Sequence, residues 1–141
     1  MKIRFISYGH KFYEAEGKAP PYHDFLFNLR DLANPFWIPE LKGFHGLEEP
    51  IKEFFAKEDS IQARLQEIND LSLKFIKDFI ANESRNGDDS LTIAFKCTGG
   101  KHRSTYFAQE CFEAMEQALS DSKLELEVEH IDLQKYLEAK L

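Results

Sequence analysis

Cysteine is scarce in this sequence, which contains only Cys97 and Cys111 among 141 residues. The first lies in a glycine-rich segment and the second within a helical apolar pattern, so a framework of disulfide bonds is not predicted. Apolar runs are short as well, and none approaches the roughly 20 residues of a membrane-spanning helix. The first ten residues also lack the apolar core of a signal peptide. We therefore expect a cytoplasmic protein with no membrane partner.

Positive charge is also in short supply. The chain carries 18 Lys and Arg residues against 25 Asp and Glu residues, which gives a formal net charge of −7. Proteins that bind nucleic acid over a broad surface are usually basic. Any contact with RNA is therefore expected to be local or weak.

Apolar residues, by contrast, are plentiful. They make up 43% of the chain and include 13 phenylalanines, while 30% of the residues are charged. This composition is typical of a globular protein, and the length suits one hydrophobic core better than two. We expect residues 1–141 to form a single domain.

The order of predicted elements indicates the fold class. Short apolar or alternating runs predict strands at residues 2–7, 25–29, 91–95 and 124–131. Helical spacing of apolar residues predicts helices at 48–56, 59–80 and 107–119, with residues 86–89 ending the longest one. Strands that alternate with helices favour an α/β sandwich with a mainly parallel sheet flanked by helices. Its ligand site is expected beyond the carboxyl ends of the strands.

The segment CTGGKHRS, residues 97–104, lies between the third predicted strand and a predicted helix. A glycine turn that leads into a helix points free backbone N–H groups, and the positive end of the helix dipole, at one spot. The basic residues Lys101, His102 and Arg103 are unfavourable at that positive end unless an anion lies there. The segment therefore predicts an anion-binding turn.

Two kinds of chemistry fit this turn. In the first, the amides of Thr98, Gly99 and Gly100 bind a phosphate or carboxylate, and Arg103 holds it with a bidentate fork. In the second, Cys97 is a nucleophile, because the pattern CxxGxxRS, which ends at Ser104, is that of cysteine-dependent phosphatases.

The phosphatase hypothesis also needs a general acid that faces the leaving oxygen. Asp31 and Asp132 are the candidates, and nothing around either one in the sequence favours it. The anion-binding hypothesis needs no general acid. The sequence alone leaves both the binding and the phosphatase hypotheses open.

Other nucleotide and metal motifs are missing from the sequence. Neither a Walker A loop, GxxxxGK[ST], nor a GxGxxG fingerprint is present, so ATP hydrolysis is not predicted. The five histidines show no HxH or HxxxH spacing, and the cysteines form no CxxC pair. We expect neither a metal nor a cofactor.

Three further residues have alternative interpretations. Arg30 follows a short apolar strand and is either a second clamp on the anion or an ion-pair partner of Asp31 or Glu40. His130 closes an alternating strand and is either a structural histidine or a ligand contact. Trp37 lies in a loop rich in proline and aromatic residues and either stacks on a ligand, together with Phe36 and Phe44, or anchors the loop. We expect it to be buried in the core as an anchor.

A family resemblance extends over most of the chain. The segments SYGHK (residues 7–11), NLRDLANPFWIPELKGFHGLEEPI (28–51) and CTGGKHRS (97–104) are similar, in order and spacing, to the C-terminal domain of RapZ, the bacterial RNase adapter protein family. The match runs from about residue 5 to residue 133. It implies a fold like a sugar-phosphate-binding subdomain of phosphofructokinase, homo-oligomers, sensing of glucosamine-6-phosphate, and RNA or protein partners.

The resemblance also implies a ligand pocket. By motif match, its members are Ser7, Gly9, Lys11, Arg30, Asn34, Thr98, Gly99, His102, Arg103 and His130. To these the loop itself adds Gly100 and Ser104. We accordingly expect a stand-alone sensor or adapter domain for a phosphorylated or carboxylated metabolite, such as an amino-sugar phosphate.

The chain departs from the family pattern at several points. Asn28 stands where the family usually has aspartate, and Phe36 stands where it has a pocket histidine. The sequence contains no Walker-type nucleotide-binding motif, whereas full-length members of the family carry one in an N-terminal domain. The final residues, LQKYLEAKL, are not the basic tail of RNA-binding members.

Overall fold

The computed structural model describes residues 1–82 and 89–139, and the predicted helix end at residues 86–88 lies outside them. The described strands are β1 (Lys2–Gly9), β2 (Phe25–Asn28), β3 (Ser90–Cys97) and β4 (Glu125–His130). The described helices are α1 (Glu49–Ala56), α2 (Asp59–Ala81), α3 (Arg103–Ala118) and α4 (Leu133–Ala139). Three short 3₁₀ turns lie at His10–Phe12, Glu14–Glu16 and Pro35–Trp37.

The four strands form one sheet in the order β2-β3-β1-β4, and every pairing is parallel. This confirms the predicted α/β class and its mainly parallel sheet. Because the strands are parallel, their carboxyl ends share one edge of the sheet. That edge brings together Gly9, Asn28, Cys97 and His130, which are far apart in sequence.

The main core lies on one face of the sheet. Alternate residues of the central strands, such as Phe5 and Ile93, are fully buried there against α2 and α3. The helical spacing predicted for these two helices is what turns Ile68 and Phe107 towards the strands. Within the described part of the chain, no helix combines the length and the apolar character that crossing a membrane requires.

The opposite face of the sheet carries a much smaller cluster. Ile6, Tyr8 and Ala94 are buried there, with Tyr13 and Ile131 packed against them. Tyr13 lies between the first two 3₁₀ turns, and Ile131 directly follows β4. The long connection after β1 therefore covers this face near the carboxyl ends of the strands, where it also borders the candidate site.

The prediction that Trp37 is buried is wrong. Its side chain is 78% exposed, and its neighbour Phe36 is 42% exposed. The loop is held by hydrogen bonds to the turn before α3: Gly46 N donates to the Lys101 carbonyl at 2.8 Å, and the His102 ring bonds the Phe44 carbonyl. Since backbone contacts anchor this segment, its largest aromatic groups are left at the surface.

Candidate functional site

Two glycines allow the end of β1 to pack directly on the turn that follows β3. Gly100 has a φ of +70°, in the left-handed region that favours glycine. A Cβ on Gly100 would lie 2.7 Å from Gly9 N, and a Cβ on Gly9 would lie 2.6 Å from the carbonyl carbon of Gly99. Gly9 and Gly100, both predicted at the pocket, therefore shape the turn through backbone contact.

A cavity of about 230 Å³ opens at this edge of the sheet, where the fold class places a ligand site. Its walls come from the 3₁₀ turn after β1, the 34–42 loop, the end of β3 with the turn before α3, and α4. The lining residues are Lys11, Asn34, Phe36, Trp37, Lys42, Cys97, Thr98, Gly99, Lys101, His102, Arg103 and Tyr136.

The charge of the cavity is opposite to that of the whole chain. Lys11, Lys42, Lys101 and Arg103 line it, whereas no Asp or Glu of residues 1–82 and 89–139 does. The protein as a whole carries a formal net charge of −7. A concave surface lined by one sign of charge raises the local concentration of ions of the opposite sign, here anions.

Arg103 is the most deeply placed of these cations, with an exposed fraction of 3%. Its Nη1 donates to the carbonyls of Leu29, Arg30 and Leu32 at 3.3, 2.8 and 2.9 Å, and its Nη2 donates to Thr98 Oγ1 at 3.3 Å. Arg103 therefore ties the segment after β2 to the start of α3.

One edge of the Arg103 guanidinium is hydrogen-bonded less completely than the other. Its Nε is buried and has no hydrogen-bond partner among the described residues, although the Cys97 side chain lies beside the guanidinium. Burial lowers the pKa of Arg103, but arginine keeps its charge in proteins. The Nε and Nη2 groups share the edge that binds a carboxylate or phosphate in a bidentate manner.

Cys97 lies at the base of the cavity and is 2% exposed. Its Sγ is 3.1 Å from Ser104 Oγ and accepts a hydrogen bond from Gly100 N at 3.3 Å. Ser104 and the Gly100 amide are thus directed at the sulfur, and neither residue lines the cavity.

The two carboxylates considered as general acids lie elsewhere. Asp31 accepts two hydrogen bonds from Arg64, at 3.2 and 2.7 Å, which hold its pKa below the ordinary value. Asp132 is fully buried and accepts from Gly9 N at 2.7 Å and Lys135 Nζ at 2.6 Å. Neither lines the cavity with Cys97.

His102 contributes a neutral ring to the cavity wall. Its Nε2 lies 2.6 Å from the Phe44 carbonyl, so Nε2 carries the proton and donates it. Burial lowers the pKa of His102 to about 4. Near neutral pH the other ring nitrogen, Nδ1, is therefore a hydrogen-bond acceptor.

Three residues that were predicted in the pocket, Ser7, Arg30 and His130, do not line the cavity. His130 bridges Ser7 Oγ at 2.8 Å and Gln109 Oε1 at 3.0 Å, and burial lowers its pKa to about 4. It joins β4, β1 and α3 beneath the site.

Arg30 is exposed, donates to Asn28 Oδ1, and borders a separate open depression.

The sequence reasoning missed other residues of the wall. Lys42 and Tyr136 carried no motif, and Trp37 was expected in the core. Tyr136, on α4, donates from its hydroxyl to the Gly99 carbonyl at 2.5 Å. Nothing in the linear pattern around Tyr136 indicates that α4 returns to the turn, since that contact depends on the path of the chain after β4.

Within the part of the chain that the structure describes, no three His, Cys, Asp or Glu side chains converge as metal ligands would. The charged side chains that line the cavity are three lysine ammonium groups and the Arg103 guanidinium. Such a set is suited to an anion.

The sequence of this chain is similar to a protein-family model and to several curated bacterial proteins. A family model described as the RapZ C-terminal domain matches residues 1–134. A nucleotide-binding protein of Pasteurella multocida is 34% identical over 139 residues, which is 99% of this chain and 44% of that protein. Proteins with the same description in Clostridium beijerinckii and Pseudoalteromonas translucida are 33% and 35% identical, over 89% and 86% of this chain and 40% of each relative. The chain thus spans less than half the length of these curated relatives.

Proposed function

Because the chain belongs to the family of RapZ C-terminal domains, we propose that its cavity binds a small phosphorylated or carboxylated metabolite and that the domain acts as a sensor or adapter. The observation that carries this proposal is the cluster of three lysines and Arg103 around a cavity into which none of the described carboxylates projects. A sugar phosphate is the leading ligand class, and the family resemblance adds glucosamine-6-phosphate as a specific candidate.

The anionic group would lie at the start of α3. The positive end of the α3 helix dipole favours an anion at that position. The buried Nε of Arg103, without a partner in the described protein, and the adjacent Nη2 would take two anion oxygens. Sugar hydroxyls would then be oriented by the acceptor nitrogen of His102 and by Asn34, both in the cavity wall.

Lys42 provides a direct test, because it lines the cavity from the exposed loop and its removal leaves the turn intact. Lys42→Ala is expected to raise the Kd for glucosamine-6-phosphate and for inorganic phosphate about tenfold, because a charge-assisted hydrogen bond contributes roughly 1.5–3 kcal/mol. Isothermal titration calorimetry measures the Kd, and ligand-dependent thermal shifts provide a second readout.

Lys123→Ala is the matched control, since Lys123 is an exposed lysine that is not part of the cavity. It is expected to bind these ligands like the wild type. Equal affinities for wild type, Lys42→Ala and Lys123→Ala would place the anion elsewhere, and the absence of binding to the wild type would refute the proposed function.

The adapter role is proposed from the family alone. Acidic residues outnumber basic ones among residues 101–139, and β4 carries alternating glutamates. A protein partner therefore suits this surface better than the phosphate backbone of RNA does. Assembly into homo-oligomers is a further expectation from the same family.

A cysteine-dependent phosphatase is the second candidate, and the contacts of Cys97 favour it. A sulfur that accepts from a turn amide and lies beside a serine hydroxyl and an arginine is arranged as a thiolate nucleophile would be. However, the cavity lacks a described carboxylic acid to protonate a leaving group. The geometry therefore supports binding better than hydrolysis.

We expect the purified protein to release no phenol from a generic aryl phosphate above the rate of a buffer control. The Cys97→Ser variant serves as the comparison, because it removes the thiol and keeps a group of similar size. Turnover by the wild type that this substitution abolishes would establish the enzyme and displace the sensor.

A further inference from the structure

The strand β4 forms an open edge of the sheet. In the order β2-β3-β1-β4, its only described neighbour is β1. Within that pairing, Glu125 N donates to the Met1 carbonyl at 3.0 Å. Because the backbone groups of successive residues in a strand point to opposite sides, those of Leu126 and Val128 face away from β1. This row of N–H and C=O groups is a template on which a further strand can pair.

The side chains of β4 alternate in character. Glu125, Glu127 and Glu129 lie on one face of the sheet, whereas Leu126 and Val128 lie on the other, where they pack against the main core. Both apolar side chains are only partly buried. A strand added beside β4 would place every second side chain next to the glutamates and the others next to the apolar pair.

The strand β1 shows which pattern fits such a row. It lies on the inner side of β4 and alternates basic residues with apolar ones. Arg4 Nε donates to Glu127 at 2.8 Å, and Lys2 Nζ lies 3.5 Å from the same carboxylate. Arg4 Nη2 also lies 3.4 Å from Glu129. The glutamates of β4 are therefore matched on their inner side by basic residues of a neighbouring strand.

The two cations of β1 do not balance the charge of this region. Residues 103–130, which include α3 and β4, contain two Lys or Arg residues against seven Asp or Glu residues. The side chains of Glu127 and Glu129 also remain 40% and 58% exposed. Pairing with β4 of a second copy would bring glutamate rows together, and like charges opposite one another are destabilising. The phosphates of RNA would meet the same repulsion.

We propose that the edge of β4 binds an extended protein segment in which basic residues alternate with apolar ones, as an additional strand of the sheet. Backbone hydrogen bonds to Leu126 and Val128 provide affinity, and the glutamate row selects the basic side chains. No residue of β4 lines the anion cavity. The proposal goes beyond the function proposed for the cavity, and it stands or fails independently of ligand binding there.

A synthetic peptide of about eight residues, with arginine and valine in alternation and blocked ends, is the probe. Fluorescence anisotropy on the full chain measures its Kd. The peptide is expected to bind about tenfold more tightly than one in which glutamate replaces arginine. Amide hydrogen exchange at Leu126 and Val128 is expected to slow when the arginine peptide is bound, because their N–H groups then have partners.

Val128→Pro tests the backbone contacts. It removes the outward N–H of Val128 and leaves the bonds to β1, since proline is tolerated in an edge strand where the N–H faces solvent. Val128→Ala is the matched control, because it shortens the same side chain and keeps the N–H. The proline variant is expected to bind the arginine peptide about tenfold more weakly, and the alanine variant within about threefold of the wild type.

Charge reversal tests the glutamate row and does not depend on whether Val128→Pro folds. The double variant Glu125→Lys/Glu129→Lys is expected to bind the arginine peptide about tenfold more weakly than the wild type. The matched control is Glu53→Lys/Glu67→Lys, which reverses two exposed glutamates of α1 and α2 and changes the net charge equally. It is expected to retain the wild-type affinity within about threefold.

Four results would overturn the proposal. The first is a lack of binding by the arginine peptide, or equal binding by the glutamate peptide. The second is equal affinity for the wild type, Val128→Pro and the charge-reversed double variant. The third is a wild-type dimer in sedimentation that Val128→Pro converts to a monomer, which would assign the edge to a second copy. The fourth is a single-stranded RNA that displaces the peptide, which would assign the edge to RNA.

Discussion

Replacing Arg103 with alanine is expected to destabilise the fold by about 3 kcal/mol, because a buried acceptor left without its donor costs roughly 1–3 kcal/mol. The guanidinium donates to three backbone carbonyls of the segment after β2, those of Leu29, Arg30 and Leu32. Alanine removes the donor from the Arg30 and Leu32 carbonyls, whereas the Leu29 carbonyl still accepts from Leu32 N. It also leaves a void between the start of α3 and the segment after β2. Anion binding is expected to disappear with the Nε–Nη2 edge.

Urea unfolding followed by circular dichroism measures the stability, and Arg64→Ala is the matched control. Arg64→Ala also removes a contact with the segment after β2, but the partner Asp31 is exposed. The free energy of unfolding is therefore expected to fall by less than about 1 kcal/mol. If Arg103→Ala is no less stable than Arg64→Ala, the carbonyl contacts do not contribute as described.

Binding and folding are separated by Arg103→Lys. Lysine keeps the charge but cannot present the planar edge or reach three carbonyls at once. A folded Arg103→Lys protein is therefore expected to bind inorganic phosphate more weakly than the wild type in calorimetry. Wild-type affinity in this variant would remove the bidentate edge from the model of the site.

Replacing Gly9 with alanine is expected to cost about 2–3 kcal/mol, the upper part of the range for overpacking a well-packed interior. The new Cβ would lie 2.6, 2.7 and 2.8 Å from Gly99 C, Gly99 O and Gly100 N. These are backbone atoms, so no side-chain rotation relieves the contact. The end of β1 and the turn must separate, which also displaces the amides proposed to bind the anion.

Gly43→Ala is the control for this substitution, because no described atom lies within 4 Å of a Cβ at Gly43. Its unfolding temperature is expected to match that of the wild type, whereas that of Gly9→Ala falls and its shift with phosphate decreases. Similar unfolding temperatures for the two variants would show that β1 and the turn tolerate a wider separation.

Local pattern was sufficient for much of the fold. The apolar spacing in α2 and α3 predicted which residues, such as Ile68 and Phe107, face the strands, and the structure buries them. Strands that alternate with helices predicted the parallel sheet, and parallel strands gather their carboxyl ends at one edge. The family was equally accessible from the sequence, because its motifs are contiguous.

Only part of the candidate site could be predicted from the sequence. Glycines and basic residues of CTGGKHRS lie next to one another in sequence, so their convergence at a helix start needed no tertiary information. Ser7 and His130 were expected in the same pocket because they lie near the carboxyl edge, but they meet each other and Gln109 beneath it. Near the end of a strand, the packing around a side chain decides on which face of the sheet that side chain lies.

The sequence by itself determined that a basic, glycine-rich turn follows a strand in an acidic chain, and this already predicts an anion site. Tertiary structure alone decided what surrounds that turn: Trp37 and Lys42 from a surface loop, and Tyr136 from α4. It also decided that Arg103 donates from Nη1 to backbone carbonyls and that its buried Nε has no hydrogen-bond partner among the described residues. The physical reason is that helix dipoles and turn amides follow from neighbouring residues, whereas the cavity walls depend on contacts between segments distant in the chain.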